Sequence, residues 1–489
     1  MTPDMFAFCV LLMFFNFLPT KPFDLETNVP SLLNESEVEI LQTELCRKCD
    51  CDIETKQIDC SGKKLQSIFS TDEWHILENS KIQFEIIKME KNIIEEIAQL
   101  PNYPMKYLYL AFNDITKIAN GAFENVTELT KLDLSHNKLT SDALQPDAFK
   151  GKFNSNQFEP LKNLTQLNLG YNKLHSLNGD LFEHTPNLQI LILSKNNFQF
   201  IDKSTTIALN SLRSLKTLDL SYLEISSLPE SIFYDLKELE TLILTGNLFR
   251  YLPKALTAVK SLKYLVLDEN PFQSFEGENI FKSLNALRSL SISYLPDVVN
   301  IGPAAFSSLT NLTTLIATNN PKLTSIDELA FIGMTGVPDI SDCTSLKELY
   351  LSNNNLSVLR RNWIQNWDRV LTLDIRFNPW ICDCSNSWLI HSLLPRIYKS
   401  RPFLTQNINC GSPEKLKGSS LLSLEVANMV CENVNLPKND HINFINLLVG
   451  ILIGILLTFC CLIFYRHTFA IRNHNNLSES SVPYIRANF

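Results

Sequence analysis

Glycine is scarce in this chain, at 14 of 489 residues. That suits many short turns built on asparagine rather than on glycine. Basic charge is also short: 43 Lys and Arg stand against 52 Asp and Glu, for a net charge of −9. There is no basic stripe of the kind that tracks a nucleic-acid backbone. The acidic balance argues against heparin-like chains and anionic lipid as partners. Motifs that carry chemistry are missing as well. No phosphate-binding loop, paired metal motif or nucleophile elbow appears. The eight His are scattered, and those in polar turns (His136, His175, His184) read as solvated surface. Enzyme, cofactor and metal readings therefore find no support.

What the chain does contain is one line written twelve times between residues 84 and 380: Leu-x-x-Leu-x-Leu-x-x-Asn-x-Leu. The fourth runs Leu164-Thr-Gln-Leu167-Asn-Leu169-Gly-Tyr-Asn172-Lys-Leu174. The Asn falls at 92, 113, 137, 172, 196, 247, 270, 320, 354 and 378, while Leu223 and Leu295 stand in its place in two repeats. Most steps are 21 to 27 residues, with longer ones of 35 before Asn172 and 34 before Asn354. A fixed period of this length means stacked units, each burying its neighbour's apolar side. Side chains alternate across the short Leu-x-Leu strand, so both Leu point inward and their flanking residues point out. The stacked strands then form one long parallel sheet. Each Asn has a donor and an acceptor with which to pair turn amides. Leu223 and Leu295 lack both, and irregular turns are expected there. One Phe per turn (Phe123, Phe182, Phe233, Phe281, Phe306, Phe331) reads as a core spine.

This line resembles the leucine-rich repeat family over residues 46 to 431, and the ends strengthen the likeness. Cys46-x2-Cys49-x-Cys51-x8-Cys60 is similar to the cysteine-rich amino-terminal cap of its extracellular members. Asn378-Pro-Trp380-Ile-Cys382-Asp-Cys384, then Trp388, Cys410 and Cys431, resembles their carboxyl-terminal cap. Spacing alone leaves three connectivities per cap. The resemblance implies Cys46–Cys51, Cys49–Cys60, Cys382–Cys410 and Cys384–Cys431. Cys343 is left over, either a buried thiol or an intermolecular bridge. The implied fold is an α/β solenoid with a parallel sheet on its concave face and short helical or irregular convex segments.

Phe6 to Leu18 is an apolar run of signal-peptide length. Leu447 to Tyr465 is 19 residues without charge, about enough to cross a bilayer core of ~30 Å as a helix. Arg466 and His467 follow, and the tail's basic excess assigns it to the cytoplasmic side. Residues 21–441 then carry about −10. The expected organisation is a signal peptide at 1–20, an extension at 21–45 and an amino-terminal cap at 46–80. Repeats fill 81–377 and a carboxyl-terminal cap 378–431. A linker at 432–442, a transmembrane helix at 443–465 and a tail at 466–489 complete it. This describes a single-pass type I protein of the plasma membrane, amino terminus outside. The outer sequons are Asn34, Asn125, Asn163, Asn311 and Asn355. Gly450, Gly454 and Thr458 form a small-residue stripe that would let two helices approach, or simply reflect the glycine content of such helices. Cys460 and Cys461 are placed for palmitoylation, or are small apolar residues in lipid.

The open sheet face is the candidate functional surface. Its outward apolar and aromatic positions are Tyr107, Tyr109 and, just beyond, Phe112; then Ile190, Ile192, Ile243, Tyr264, Val266, Ile316 and Tyr350. Anchors of this kind among Ser, Thr and Asp suit a protein partner, although strands favour such residues in any case. Tyr107, Tyr109 and Phe112 form the cluster that points most to binding. The sequence thus reads as a cell-surface receptor or adhesion protein that binds a protein through its concave face. It is similar in its outer part to Toll-type and neuronal leucine-rich repeat receptors, without their intracellular signalling domain. The alternative is a ligand-capturing co-receptor, in an innate immune or growth-factor pathway for example, that relies on another chain to signal.

Overall fold

The computed structural model describes residues 40–276, 280–334, 345–364 and 366–424, together with a few helical positions between 452 and 466. The signal segment, Asn34, Cys343, Cys431, Gly450, Gly454 and Cys461 lie outside these residues. No helix among the described residues is long and apolar enough to cross a membrane.

A 14-stranded sheet dominates the structure. It opens with an antiparallel hairpin, Asp50–Asp52 against Gln57–Asp59. Twelve parallel strands follow, from Ile86–Lys88 to Thr372–Asp374, one for each repeat line. The register never slips. Ile58, Ile87, Leu108, Leu132, Leu167, Leu191 and their successors to Leu373 pair as one row. This row and the Leu two residues later in most repeats are buried, which holds the register because a one-residue shift would expose the whole set.

The Asn ladder closes the turns. Asn137 is representative: Nδ2 donates to Leu110 O at 2.9 Å and to Leu134 O at 3.0 Å, and Oδ1 accepts from the Ile115 N–H at 3.1 Å. One side chain thus joins two repeats and leaves its own polar atoms paired in the core. Where the Asn is missing, the next one along compensates. Asn247 Oδ1 accepts from the Leu223 N–H at 3.1 Å, and Asn320 Oδ1 from the Leu295 N–H at 2.8 Å. The turn at Leu223 is irregular, with both Tyr222 (φ 53°) and Glu224 (φ 58°) left-handed, whereas at Leu295 only Tyr294 (φ 56°) is left-handed, as in the other repeats, so the irregularity expected there is not found.

The return segments are short and varied, with small parallel pairs such as Glu96–Ile97 with Lys117–Ile118, short 3-10 turns such as Lys254–Ala258 and the α-helix Lys203–Asn210. The spine residues Phe123, Phe182, Phe233, Phe281, Phe306 and Phe331 are buried. Phe281, Phe306 and Phe331 follow one another at centroid distances of 6.3 and 5.2 Å. The 35-residue step carries an antiparallel hairpin, Phe153–Asn154 with Gln157–Phe158.

Both ends are stapled. Disulfides join Cys46 to Cys51, Cys49 to Cys60 and Cys382 to Cys410, and Cys384 is disulfide-bonded too. Packing at the amino end reaches back to Ile40 and Leu45, which are buried. At the other end Asn386 extends the ladder beyond the last repeat: Nδ2 donates to Ser357 O at 2.8 Å and Oδ1 accepts from the Leu359 N–H at 3.0 Å.

Candidate functional site

The face of the sheet away from the core carries three rows of side chains, two from the strand and one from the residue before each Asn. The first strand row holds Tyr107, Ile190 and Tyr264; the second holds Tyr109, Ile192, Ile243, Val266, Ile316 and Tyr350. All are half-buried. The register seats Ile243 beside Val266 and Ile316 beside Tyr350. It separates Ile192 from Ile243 by placing Asp219 between them. The apolar anchors therefore come in pairs divided by polar groups, not as one patch.

Two sequestered carboxylates lie near these anchors. Asp219 accepts from the Ser221 N–H at 2.9 Å and the Ser221 hydroxyl at 2.6 Å, and burial pushes its pKa up. Asp268 accepts from the Ser291 hydroxyl at 2.8 Å and the Ser293 N–H at 2.7 Å. Burial still pushes its pKa up to about 6, because removal from water disfavours the charged form. Near the amino end, Lys131 Nζ stands 4.9 Å from the centre of the Tyr109 ring. Burial lowers its pKa, against the pull of Asp133 and Glu90.

The third row was not legible as a unit. In every repeat the residue before the Asn, or before the Leu in its place, is left-handed: Lys91, Phe112, His136, Tyr171, Lys195, Tyr222, Gly246, Glu269, Tyr294, Asn319, Asn353 and Phe377, with φ from 53° to 67°. This conformation costs a non-glycine residue about 1–2 kcal/mol. The ladder offsets that cost, since each N–H donates to a carbonyl of the following turn: Phe112 to Ser135 O at 3.2 Å, His136 to Gly170 O at 3.0 Å and Tyr171 to Ser194 O at 2.7 Å. Repetition of one conformation at the strand spacing of ~4.8 Å makes the side chains project side by side.

Rings in this row therefore stack. Phe112 and His136 lie 3.9 Å apart at 14°, and His136 and Tyr171 3.8 Å apart at 17°. Lys195 follows, its Nζ 3.4 Å from the centre of the Tyr222 ring. Tyr222 in turn covers Gly246, where an added Cβ would come within 2.2 Å of the ring. The outer members stay open, Phe112 at 48% and Tyr171 at 45% exposure. Two expectations change. His136 is not a solvated turn residue but the middle of a three-ring stack, with its pKa lowered by burial against the opposing pull of Asp133. His184 packs edge-on against Phe158 at 6.0 Å. Tyr107 and Tyr109 are half-buried, so Phe112 is the exposed member of its cluster, and the ring it stacks on, His136, comes from the next repeat. The signal available in the sequence was the residue type at one repeat position, Phe, His, Tyr, Lys and Tyr in consecutive lines.

Among the sequons, Asn163 and Asn311 are exposed, with Nδ2 donating to Thr127 O at 3.0 Å and to Asn285 O at 2.7 Å. Asn125 donates to Leu100 O at 2.9 Å and is half-buried. Asn355 is exposed. Cys460 is a free, exposed thiol, and Thr458 is helical.

Two repeat models match the chain. The leucine rich repeat model covers residues 104–152, 162–216 and 213–272, and the BspA type leucine rich repeat region (6 copies) covers 253–375. Osteomodulin of Bos taurus is 30% identical over 271 residues, 53% of this chain and 55% of its own length. Tsukushi of Gallus gallus is 28% identical over 346 residues, 68% of this chain and 78% of its own. CD180 antigen of Mus musculus is 26% identical over 341 residues, 68% and 44%. The chain thus spans about half the length of osteomodulin and of CD180 antigen. Among solved structures, the Toll–Spatzle complex of Drosophila shows 21% identity over 69% of this chain and 54% of that chain, with a TM-score of 0.45.

Proposed function

We propose that this chain, which belongs to the extracellular-type leucine-rich repeat family with a disulfide-bonded amino-terminal cap, is a cell-surface receptor or adhesion protein that captures a protein partner on the open face of its sheet. The observation that carries this reading is the ring column. Phe112, His136 and Tyr171 present aromatic edges on preformed, left-handed backbone. Rings held in place by neighbouring strands lose little entropy when a partner covers them. Exposed aromatics flanked by Ser, Thr and Asp have the makeup of an interface core with a polar rim.

The membrane part of the proposal rests on the uncharged run Leu447–Tyr465 and the basic residues after it. Leu452, Leu456, Leu457, Leu462 and Ile463 are helical and exposed, as side chains covered by lipid would be.

The test is aggregation of suspension cells expressing the full chain, together with capture of secreted proteins by those cells. Tyr171→Asp and His136→Asp are expected to abolish clustering or capture while surface level stays constant, and Lys152→Asp, at an exposed position of a return segment outside the sheet, is expected to leave both intact. Binding that survives both column substitutions overturns the assignment of the face. Release of the chain from membranes by alkaline carbonate overturns the anchor.

A further inference from the structure

We propose a second binding site, a basic cleft at the strand-entry edge of the sheet that takes a short acidic segment of a protein. The cleft is an open depression of about 800 Å³, lined by Lys263, Tyr264, Arg288, Thr314 and Lys347 among others, with Asn311 and Thr313 of one sequon in its wall. Its cations are brought together by the repeat. Lys263, Arg288, Thr313 and Lys347 hold the same position in four consecutive turns, joined by N–H···O bonds of 2.8 Å from Arg288 to Lys263, Thr313 to Arg288 and Lys347 to Thr313. At the strand spacing of ~4.8 Å, three positive groups fall within about 15 Å. A smaller depression of about 460 Å³ beside it adds Lys260 and Lys282. The acidic groups at the cleft are already engaged. Glu240 pairs with Lys263 at 2.6 Å, and Glu348 accepts from the Thr314 hydroxyl at 3.3 Å. Arg288 and Lys347 are exposed and form no ion pair with the described residues.

The charge pattern selects the ligand class. A guanidinium flanked by an ammonium and hydroxyls matches carboxylates, which Arg binds through two parallel N–H bonds. The site is bounded by Glu240 and Glu348 on a chain of net charge −9, so a long polyanion would be repelled beyond the cleft. Two or three carboxylates in a short extended stretch fit; a sulfated polysaccharide chain does not. The site is separate from the ring column and can be read without it.

The experiment measures binding of a fluorescent heptapeptide of alternating glycine and glutamate to the full chain in detergent micelles. The glutamine version of the peptide and a heparin oligosaccharide are run beside it. Expected is binding at low ionic strength that salt weakens, absence of binding by the glutamine peptide, and a loss of about tenfold or more in Arg288→Glu/Lys347→Glu, from the loss of a charge-assisted hydrogen bond. Lys152→Glu should bind as the unmodified chain does. Thermal unfolding is matched among variants, and Arg288→Gln/Lys347→Gln replaces the charge reversal if that variant does not fold. No peptide binding, or equal binding by the double variant, overturns the site. Tighter binding by the oligosaccharide, lost in the same variants, overturns the protein class. His136→Asp is expected to leave peptide binding intact, so failure of the column reading and failure of this one are told apart.

Discussion

Tyr222 lies against the backbone of Gly246, its ring filling the space that a Cβ at position 246 would need. The added atom would stand 2.2 Å from two ring carbons, and Gly246 is left-handed at φ 67°. Gly246→Ala should therefore destabilise the chain by roughly 1–3 kcal/mol, from backbone strain together with the displaced ring. Gly246→Asn tolerates the left-handed backbone better but still strikes the ring. Combining Gly246→Ala with Tyr222→Ala should recover part of the loss. Chemical denaturation of the three variants checks this. No recovery in the double variant would mean that the ring is not what position 246 accommodates.

His136 should make the column sensitive to acid. Its pKa is lowered by burial, so the folded chain binds fewer protons than the unfolded one. Its contribution is present above the unfolded value of ~6.5 and is lost as pH falls through that value toward the folded one. An NMR titration of the imidazole should show a midpoint below 6.5. Tyr171→Ala, which removes one covering ring, should move that midpoint upward.

Asp268 should act in the opposite sense. Its pKa is raised from 3.8 to about 6, so the folded chain holds more protons across that window and stability falls as pH rises through it. Asp268→Asn should stabilise the chain at pH 7.5 by roughly 3 kcal/mol at most, at 1.36 kcal/mol per pKa unit, with the gain vanishing toward pH 4. Unfolding curves at the two pH values decide the matter; a constant difference would contradict the assignment.

Asn137→Ala should cost about 2–3 kcal/mol, because it leaves a buried amide N–H and carbonyls in two turns unpaired. Asn172 and Asn113 should behave alike, since their bonds repeat those of Asn137. Hydrogen exchange should locate the loss in the turns on both sides of position 137. A loss confined to one turn would show that the side chain does not couple the repeats.

The sequence by itself determined the period, the inward Leu rows, the Phe spine and the bonding duty of the Asn. Each follows from local residue type repeated at a constant interval, and stacking converts the interval directly into neighbours. Even the gap at Leu223 was legible, because a missing donor and acceptor must be supplied from elsewhere. Only the tertiary structure decided which outward residues meet. Phe112, His136 and Tyr171 are 24 and 35 positions apart and became one stack because each is left-handed, a backbone state that their side chains do not advertise. Lys263, Arg288 and Lys347 lie in an acidic chain and became one cleft because the register aligns them. Exposed positions do not hold the fold together, so the residue type at them varies from repeat to repeat, and their meaning appears only when the strands set them side by side.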